Sequence, residues 1–290
     1  MLRSAWLSPR LALVTGLLSA ALVSPVGAQA TGNADTTAVV AQPMLEAAVA
    51  QPVLEQRDLI YAAGAGIATL ATERLLDRPA AQFMLEHGQE SATLRRLSHV
   101  VEAIALPGAF IIGGGLYVGG RLGGDDGMAD AGLHTTEAVL IGTAVTGVLK
   151  MATGRARPYA DPDDPHDFEL MRGFEGDEYR SFPSGHTVIA FAMAAAATEE
   201  VRRSGGSTWL VGAATYGGAT LVGLARMYNS QHWASDVAMG AAIGVFTGRR
   251  VVKWQHTHPG NRLDRWLLGV SVSTIPNGQR IVRPIILPMR

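Results

Sequence analysis

The chain has 290 residues, of which 48% are hydrophobic and 17% are charged, and this length is enough for one sizeable core. A formal net charge of −1 gives no general attraction to nucleic acid or to an anionic membrane surface. Since the sequence contains no cysteine, disulfide bonds and thiolate chemistry are excluded.

Residues 1–30 have the pattern of a secretory signal peptide. Arg3 and Arg10 give a positively charged start, residues 11–23 form a short apolar core, and Ala28-Gln29-Ala30 fits a small-x-small cleavage site. The alternative is an uncleaved membrane anchor. The pattern favours export to the periplasm with removal of this segment.

A helical domain is predicted over residues 56–254, after a poorly ordered leader at 31–55 that has no clear apolar period. Its six apolar segments run at roughly 58–76, 99–121, 134–152, 186–202, 207–225 and 233–250. They are rich in Ala and Gly, and Gly115 and Gly119 have the small-x3-small spacing that permits close helix contact. No strand precedes this glycine run, so a dinucleotide-binding loop is not indicated. We expect an all-α bundle of about six helices.

The third helical segment ends in a cationic block. Lys150 is predicted on its last turn, because Gly154 frees the backbone and Pro158 moves Arg157 out of the helical region. Arginine offers a planar fork for two phosphate oxygens and lysine a compact charge. Arg155 is expected to face elsewhere. The alternative for this block is cations that merely favour a helix C-terminus.

The loop at 159–182 is long for a connection, and loops of this length often form lids. Its acidic and histidine residues suggest either a metal site or a solvated turn, and the turn is favoured. These residues are Asp161, Asp163, Asp164, His166 and Asp167.

The next block, Pro183-Ser184-Gly185-His186, opens the fourth helix. Ser184 is a good N-cap residue, and the free backbone N–H groups of a helix start can bind an anion. His186 would then lie in the first turn beside that anion. The alternative is an ordinary serine cap with an incidental histidine.

A third block places Arg226 before His232 and Asp236, which are four residues apart and share a helix face. A carboxylate at this spacing can accept the Nδ1 proton of the histidine and leave Nε2 free to attack. The alternative is a buried His–Asp pair in a helical core.

The tail, residues 255–290, has a different pattern. Val270 to Thr274 alternate in polarity, and Asn277-Gly278 predicts the turn of a small β-hairpin. His256 and His258 are expected to form a surface pair.

Taken together, the three blocks resemble the type 2 phosphatidic acid phosphatase superfamily, which includes bacterial class A acid phosphatases and vanadium haloperoxidases. The family pattern is Lys-x6-Arg-Pro, then Pro-Ser-Gly-His, then Ser-Arg-x5-His-x3-Asp. The sequence matches every charged and histidine position and departs only at Ala225, where the family usually has serine. The resemblance extends roughly over residues 58–254.

The resemblance implies a role for each matching residue. His232 is similar to the nucleophile that forms a phosphohistidine, Asp236 to its orienting partner, and His186 to the general acid. The implied phosphate-binding residues are Lys150, Arg157 and Arg226, with the backbone amides of Ser184 and Gly185. Because fixed cations can neutralise the phosphoryl oxygens, no metal cofactor is expected.

The leading hypothesis is therefore a metal-independent phosphatase acting on a phosphomonoester or pyrophosphate, for which a lipid-linked substrate is favoured, with no nucleic-acid partner. One alternative is a vanadium-dependent haloperoxidase, in which His232 would bind vanadate. Another is a non-catalytic binding module on the same fold, against which the intact His186, His232 and Asp236 argue.

Membrane association is open at the level of sequence. A bilayer span needs about 20 apolar residues, and only 103–120 and 204–225 approach that length without a charge. If all six segments spanned after an exported N-terminus, Lys150 would lie in the cytoplasm. A periplasmic domain, with or without membrane attachment, avoids this conflict and is favoured.

Overall fold

A computed structural model describes residues 55–87, 92–258, 270–274 and 280–284. The predicted signal peptide, the leader up to residue 54 and the Asn277-Gly278 turn lie outside these residues. The chain divides into two compact units, residues 1–64 and 65–290. Of the first unit only residues 55–64, the start of a helix, are described.

The described chain is almost entirely helical, which confirms the predicted all-α bundle. The elements are α1 Gln56–Thr72, a π-helical turn Glu73–Asp77, α2 Arg78–His87, α3 Ala92–Gly123, α4 Asp126–Thr153, α5 Gly185–Arg203, α6 Thr208–Tyr228, α7 Ala234–Thr257, β1 Val270–Thr274 and β2 Arg280–Pro284. Each predicted segment corresponds to a helix, the first of them to α1 together with the π-helical turn. α2 is an additional helix that follows this turn.

The centre of the second unit lies where α5 packs against α7. The contact is close because α7 carries glycine at every fourth position along this face. A methyl group at Gly244 would lie 2.6 Å from the carbonyl oxygen of Val188, and one at Gly248 would lie 2.5 Å from that of Ala192. The surrounding core consists of small and branched apolar side chains from α3, α4, α5 and α7, namely Ala109, Ala138, Val139, Ile189, Ala192, Ala196, Val251 and Val252.

Close helix packing was predicted from glycine content, but at the wrong residues. A methyl group at Gly115 would meet nothing within 4 Å, and one at Gly119 would meet only the flexible end of Met128. α3 and α4 instead approach each other at Gly132, where a methyl group would lie 2.3 Å from the backbone nitrogen of Tyr117. Spacing alone does not tell which glycines face a neighbour.

Substitution of Gly244 by alanine is expected to lower the free energy of unfolding by about 1–3 kcal/mol, because the added methyl forces α5 and α7 apart. The matched control is Gly217→Ala on α6, where a methyl group meets nothing within 4 Å. The free energy of unfolding of this control is expected to rise by about 0.5–1 kcal/mol, because alanine favours a helix more than glycine does. Thermal and urea unfolding of the purified variants measure both, and equal stabilities would contradict the packing argument.

Three helix ends position the residues singled out in the sequence. α4 ends at Gly154, which has the left-handed φ of 55° and donates its N–H to the carbonyl of Lys150 at 3.3 Å. α5 begins after the N-cap Ser184, and α7 begins after the N-cap Trp233. Lys150 thus lies on the last turn of its helix and Arg157 on the following loop, as predicted.

The long connection between α4 and α5 is bonded to the body of the unit along its length. It contains two short 3₁₀ helices, Arg172–Phe174 and Asp177–Tyr179. Its acidic residues form local turns, since Asp161 accepts the backbone N–H of Asp163 at 3.0 Å and Asp164 accepts that of His166 at 3.0 Å. These bonds are those of the solvated turn that the sequence favoured.

The C-terminal part of the described chain differs from prediction in two respects. α7 continues past the expected boundary at 254, and β1 and β2 pair antiparallel with Val272 opposite Val282. The predicted surface pair of histidines is wrong: His258 stacks on Trp254 at 5.2 Å, whereas His256 faces Glu200 of α5 at 3.0 Å.

Many large apolar side chains of the described helices are exposed. By length and composition one helical stretch of the described part could cross a bilayer, Gln56–Glu86, and only 17% of its most apolar window is buried. This stretch is neither 103–120 nor 204–225, the two that by sequence came nearest to the length of a bilayer span. On α3 and α6, which pack on each other, the most exposed apolar residues are Ile111, Leu122, Trp209, Leu210 and Leu221, each more than 60% exposed.

Candidate active site

The three predicted cations converge from three separate parts of the chain. The side-chain oxygen of Gln231 accepts from Nη1 of Arg157 at 2.5 Å and from Nη2 of Arg226 at 3.4 Å. Lys150 reaches the start of α5, because a methyl group at Gly185 would lie 3.7 Å from its Cε. Gln231, which the sequence analysis missed, lies at the point where the two guanidinium groups meet.

Positive charge is concentrated at this point. Burial, together with the charges of Arg157 and Arg226, lowers the pKa of Lys150 to about 7. Its ammonium group donates to the backbone carbonyls of Arg180 and Ser181, the latter at 3.3 Å. Backbone carbonyls cannot neutralise the ammonium group, so an anion would stabilise this cluster of mutually repelling cations.

Arg157 is held by the loop that precedes α5. Its Nε donates to the backbone carbonyl of Asp177 at 2.9 Å, and its Nη2 forms an ion pair with the carboxylate of the same residue at 3.0 Å. The side chain of Arg157 is 7% exposed and that of Asp177 is 67% exposed. An incoming oxyanion would therefore compete with a solvated carboxylate, which is a weak competitor.

Asp236 lies in the first turn of α7, whereas His232 precedes the N-cap Trp233, so the prediction that the two share a helix face was wrong. Asp236 is the third residue of the helix, and its Oδ2 accepts the backbone N–H of Trp233 at 2.9 Å. The same oxygen lies 3.5 Å from Nδ1 of His232 and accepts from the hydroxyl of Ser181 at 2.5 Å. One carboxylate thus caps the helix and lies beside the histidine ring.

The protonation states of this pair suit a nucleophile and its partner. Burial and the nearby charge of Lys150 lower the pKa of His232 well below its usual value, in spite of Asp236. Burial would raise the pKa of Asp236, but the Arg155 guanidinium and His232 outweigh it and hold that pKa below its usual range. At neutral pH the imidazole is therefore neutral and the carboxylate ionised.

The block that opens α5 lies against this pair. His186 is the second residue of the helix and is half-buried. The Ser184 hydroxyl bonds to that of Thr187 at 2.8 Å, and its backbone N–H donates to the carbonyl of Asp236 at 3.0 Å. This last bond joins the starts of α5 and α7. It also engages the Ser184 amide that was predicted to bind phosphate, which leaves Gly185 as the N–H donor of that pair.

Arg155 was expected to face elsewhere, and this expectation was wrong. Its guanidinium is 1% exposed, and Nη1 donates to Oδ1 of Asp236 at 2.5 Å while Nη2 donates to Asp77 at 2.8 Å. The ring of Phe168 covers it at 4.7 Å. Arg155 therefore fixes the carboxylate that lies beside His232.

The other end of this network is Asp77, a second residue that the sequence did not reveal. It accepts from the backbone N–H and the hydroxyl of Ser235 at 2.8 and 2.6 Å. It is the last residue of the π-helical turn Glu73–Asp77, a local widening of the helix that is frequent at functional sites. A single acidic residue at the end of an apolar segment belongs to no recognisable motif, so its contacts are visible only in the folded chain.

Anion binding is expected to weaken as the pH rises through about 7. Lys150 is charged below this pH in the free protein, and a bound dianion raises its pKa, so each pH unit above 7 should cost up to about tenfold in affinity. Inhibition by sulfate, whose charge is constant in this range, measures the effect. In the variant Lys150→Arg the arginine keeps its proton throughout this pH range. The inhibition constant of sulfate for this variant should therefore vary less with pH. Identical profiles for both proteins would contradict this assignment.

The geometry brings together three cations, two histidines and an ionised carboxylate at the facing ends of α4, α5, α6 and α7. Such a group can hold a tetrahedral oxyanion, place a neutral imidazole against its central atom and stabilise charge on its oxygens.

The comparison with known proteins agrees with this set of site residues. The model of the PAP2 superfamily matches residues 131–259. A lipid A 1-phosphatase of Porphyromonas gingivalis is 42% identical over 74 residues, which is 26% of this chain and 16% of that protein. The match thus spans about a sixth of the relative.

Among solved structures, the crystal structure of the first transmembrane PAP2 type phosphatidylglycerolphosphate phosphatase from Bacillus subtilis aligns with a TM-score of 0.49 and 19% identity. The alignment covers 69% of this chain and 94% of that one. The segment matched by the family model contains every predicted site residue, from Lys150 to Asp236. Over residues 131–259 the chain is similar to the PAP2 superfamily.

Proposed function

We propose that this protein is a metal-independent phosphatase that hydrolyses a lipid-linked phosphomonoester or pyrophosphate through a phosphohistidine intermediate. The observation that supports it is the convergence of Lys150, Arg157 and Arg226 beside the buried His232–Asp236 pair. Phosphoryl transfer needs positioning and charge neutralisation on the equatorial oxygens, and three fixed cations provide both.

In the first step Nε2 of His232 attacks phosphorus, and the bond from phosphorus to the leaving oxygen breaks. His186 gives its proton to that oxygen, so the alcohol or phosphate leaves neutralised. Asp236 accepts the Nδ1–H of His232 and stabilises the positive charge that the ring acquires. In the second step water attacks the phosphohistidine, His186 takes a proton from it, and inorganic phosphate leaves.

A lipid-linked substrate is supported by the apolar surface of the protein and by the lipid A 1-phosphatase relative. The exposed residues of α3 and α6 would lie against acyl chains, where apolar side chains are stable. A phosphate group at the surface of the bilayer is then within reach of cations held at helix ends. No divalent metal enters this scheme.

Turnover of an aryl phosphate and of a lipid phosphate in the presence of EDTA tests the chemistry. Hydrolysis should persist after chelation and should be inhibited by vanadate, which mimics the transition state at the cations. Loss of activity on chelation with recovery in magnesium or zinc would overturn the metal-independent mechanism. Bromide oxidation by peroxide and vanadate without phosphatase activity would indicate a haloperoxidase instead.

We further propose that the protein is exported and attached to the periplasmic side of a membrane. The stretch Gln56–Glu86 is long and apolar enough for attachment and is mostly exposed. A reporter that is active only in the periplasm, fused after Arg157 or after Arg250, should be active at both points. An inactive fusion at either point would overturn the periplasmic location, and release of the protein by salt without detergent would overturn attachment.

A further inference from the structure

A second cluster of reactive side chains lies outside the candidate active site. His134 on α4, Glu200 on α5 and His256 on α7 face one another, and one ligand atom from each lies within 4.8 Å of the other two. Nε2 of His256 lies 3.1 and 3.0 Å from the two carboxylate oxygens of Glu200. Nδ1 of His134 contacts the same carboxylate, and the two imidazole rings meet edge to face at 5.3 Å.

From these contacts we propose that His134, Glu200 and His256 form a binding site for a divalent transition metal ion, with zinc as the best-suited ion. Two imidazole nitrogens and one carboxylate are a common ligand set for zinc. Tetrahedral zinc holds such atoms about 3.3 Å apart. The ligand atoms of the three side chains would need to approach one another by no more than about 1.5 Å to reach that spacing.

The surroundings favour a cation with an open coordination position. Glu200 and His256 line a cavity of about 760 Å³, whose wall also includes Asp125, Asp130 and Arg203. Asp130 lies four residues before His134 and so faces the same side of α4. Water in this cavity could complete the coordination that three protein ligands leave open.

The contacts within the cluster agree with this interpretation. The carboxylate of Glu200 is the shared partner of the two imidazole rings. His134 is 6% exposed, so the histidine is sequestered rather than part of a solvated surface.

The position of the cluster separates it from the candidate active site. Along α4, His134 is sixteen residues before Lys150, or about 24 Å. On α5, Glu200 follows His186 by fourteen residues, or about 21 Å, and on α7 His256 follows Asp236 by twenty, or about 30 Å. The same three helices thus carry the phosphate-handling residues at one end and the metal ligands at the other. A bound ion would hold the far ends of these helices together and stabilise the bundle without taking part in hydrolysis.

Metal binding by the full chain tests the site. The purified protein is stripped with a chelator, exchanged into metal-free buffer and titrated with zinc, cobalt or magnesium by calorimetry and elemental analysis. We expect one zinc per chain, a cobalt absorption typical of a distorted tetrahedral site, and no binding of magnesium, which prefers oxygen ligands. Zinc should also raise the Tm.

The variants His256→Gln and Glu200→Gln should weaken zinc binding by more than about 100-fold, since even outer-shell changes cost about 10–100-fold. The matched control is His258→Gln, at the residue that follows the end of α7 and stacks on Trp254, which should bind zinc as the unchanged protein does. Circular dichroism checks that each variant is folded. Absence of stoichiometric binding, or undiminished binding in both cluster variants, would overturn the site.

This inference is independent of the proposed hydrolysis. The titration is repeated on His232→Ala, which should lack turnover and bind zinc normally. Chelation should lower the Tm of the unchanged protein while leaving its turnover intact well below that temperature. A failure of the phosphatase proposal would appear only in the turnover assay, and a failure of the metal site only in the titration and the Tm.

Discussion

Replacement of His232 by alanine is expected to abolish turnover, with a loss of roughly 10⁴-fold or more, and to abolish formation of a covalent phosphoenzyme. The residue is 3% exposed, has a neutral ring at neutral pH and lies beside Asp236. No other group in the proposed scheme could act as nucleophile. Rapid quenching with radiolabelled substrate measures the phosphoenzyme directly.

His186→Ala should behave differently. Loss of the general acid should lower the rate of turnover about 10²–10⁴-fold on a substrate with a poor leaving group. The loss should be much smaller on an aryl phosphate, because its phenol leaves without protonation. The phosphoenzyme should still form. His166→Ala, at an exposed histidine paired with Glu73, is the control and should change neither rate. Equal losses for His186→Ala on good and poor leaving groups would contradict its role as an acid.

Arg155→Met is expected to damage both stability and catalysis. It leaves Asp77 and Asp236, both fully buried, without their shared cation, and breaking a buried ion pair in this way costs about 3–5 kcal/mol. With Asp236 no longer held, His232 loses its orientation and kcat should fall. Urea unfolding and steady-state kinetics measure the two effects.

The matched comparison is Arg157→Met. Arg157 pairs chiefly with the exposed Asp177, so its loss should leave stability nearly unchanged while weakening substrate and vanadate binding. A double variant, Arg155→Met with Asp77→Asn, should be more stable than the sum of the single losses predicts, because one unpaired charge is removed. If Arg155→Met and Arg157→Met had the same effects, the division between orienting and phosphate-binding arginines would be wrong.

The sequence by itself determined the helices and placed most of the candidate site residues at their ends. Apolar segments bounded by polar loops predict helices because a continuous apolar face must be buried or covered. Lys150, Ser184 and Asp236 were placed at helix ends by their neighbours, since glycine, proline and N-cap residues act through local backbone geometry. Each of these signals depends only on a few residues that are adjacent in the sequence.

The tertiary structure decided which side chains meet across the bundle. Arg155 could be assigned to Asp77 and Asp236 only after folding had brought residues 78 and 81 positions apart into contact. Which glycines pack was likewise decided by which face of each helix is covered. Gln231 lies in the connection between α6 and α7, and its role depends on where Arg157 and Arg226 meet. His134, Glu200 and His256 come from three helices, and no spacing along the chain encodes their approach. Periodicity reveals that a helix forms, whereas the pairing of its faces depends on how all the helices bury their apolar surface together.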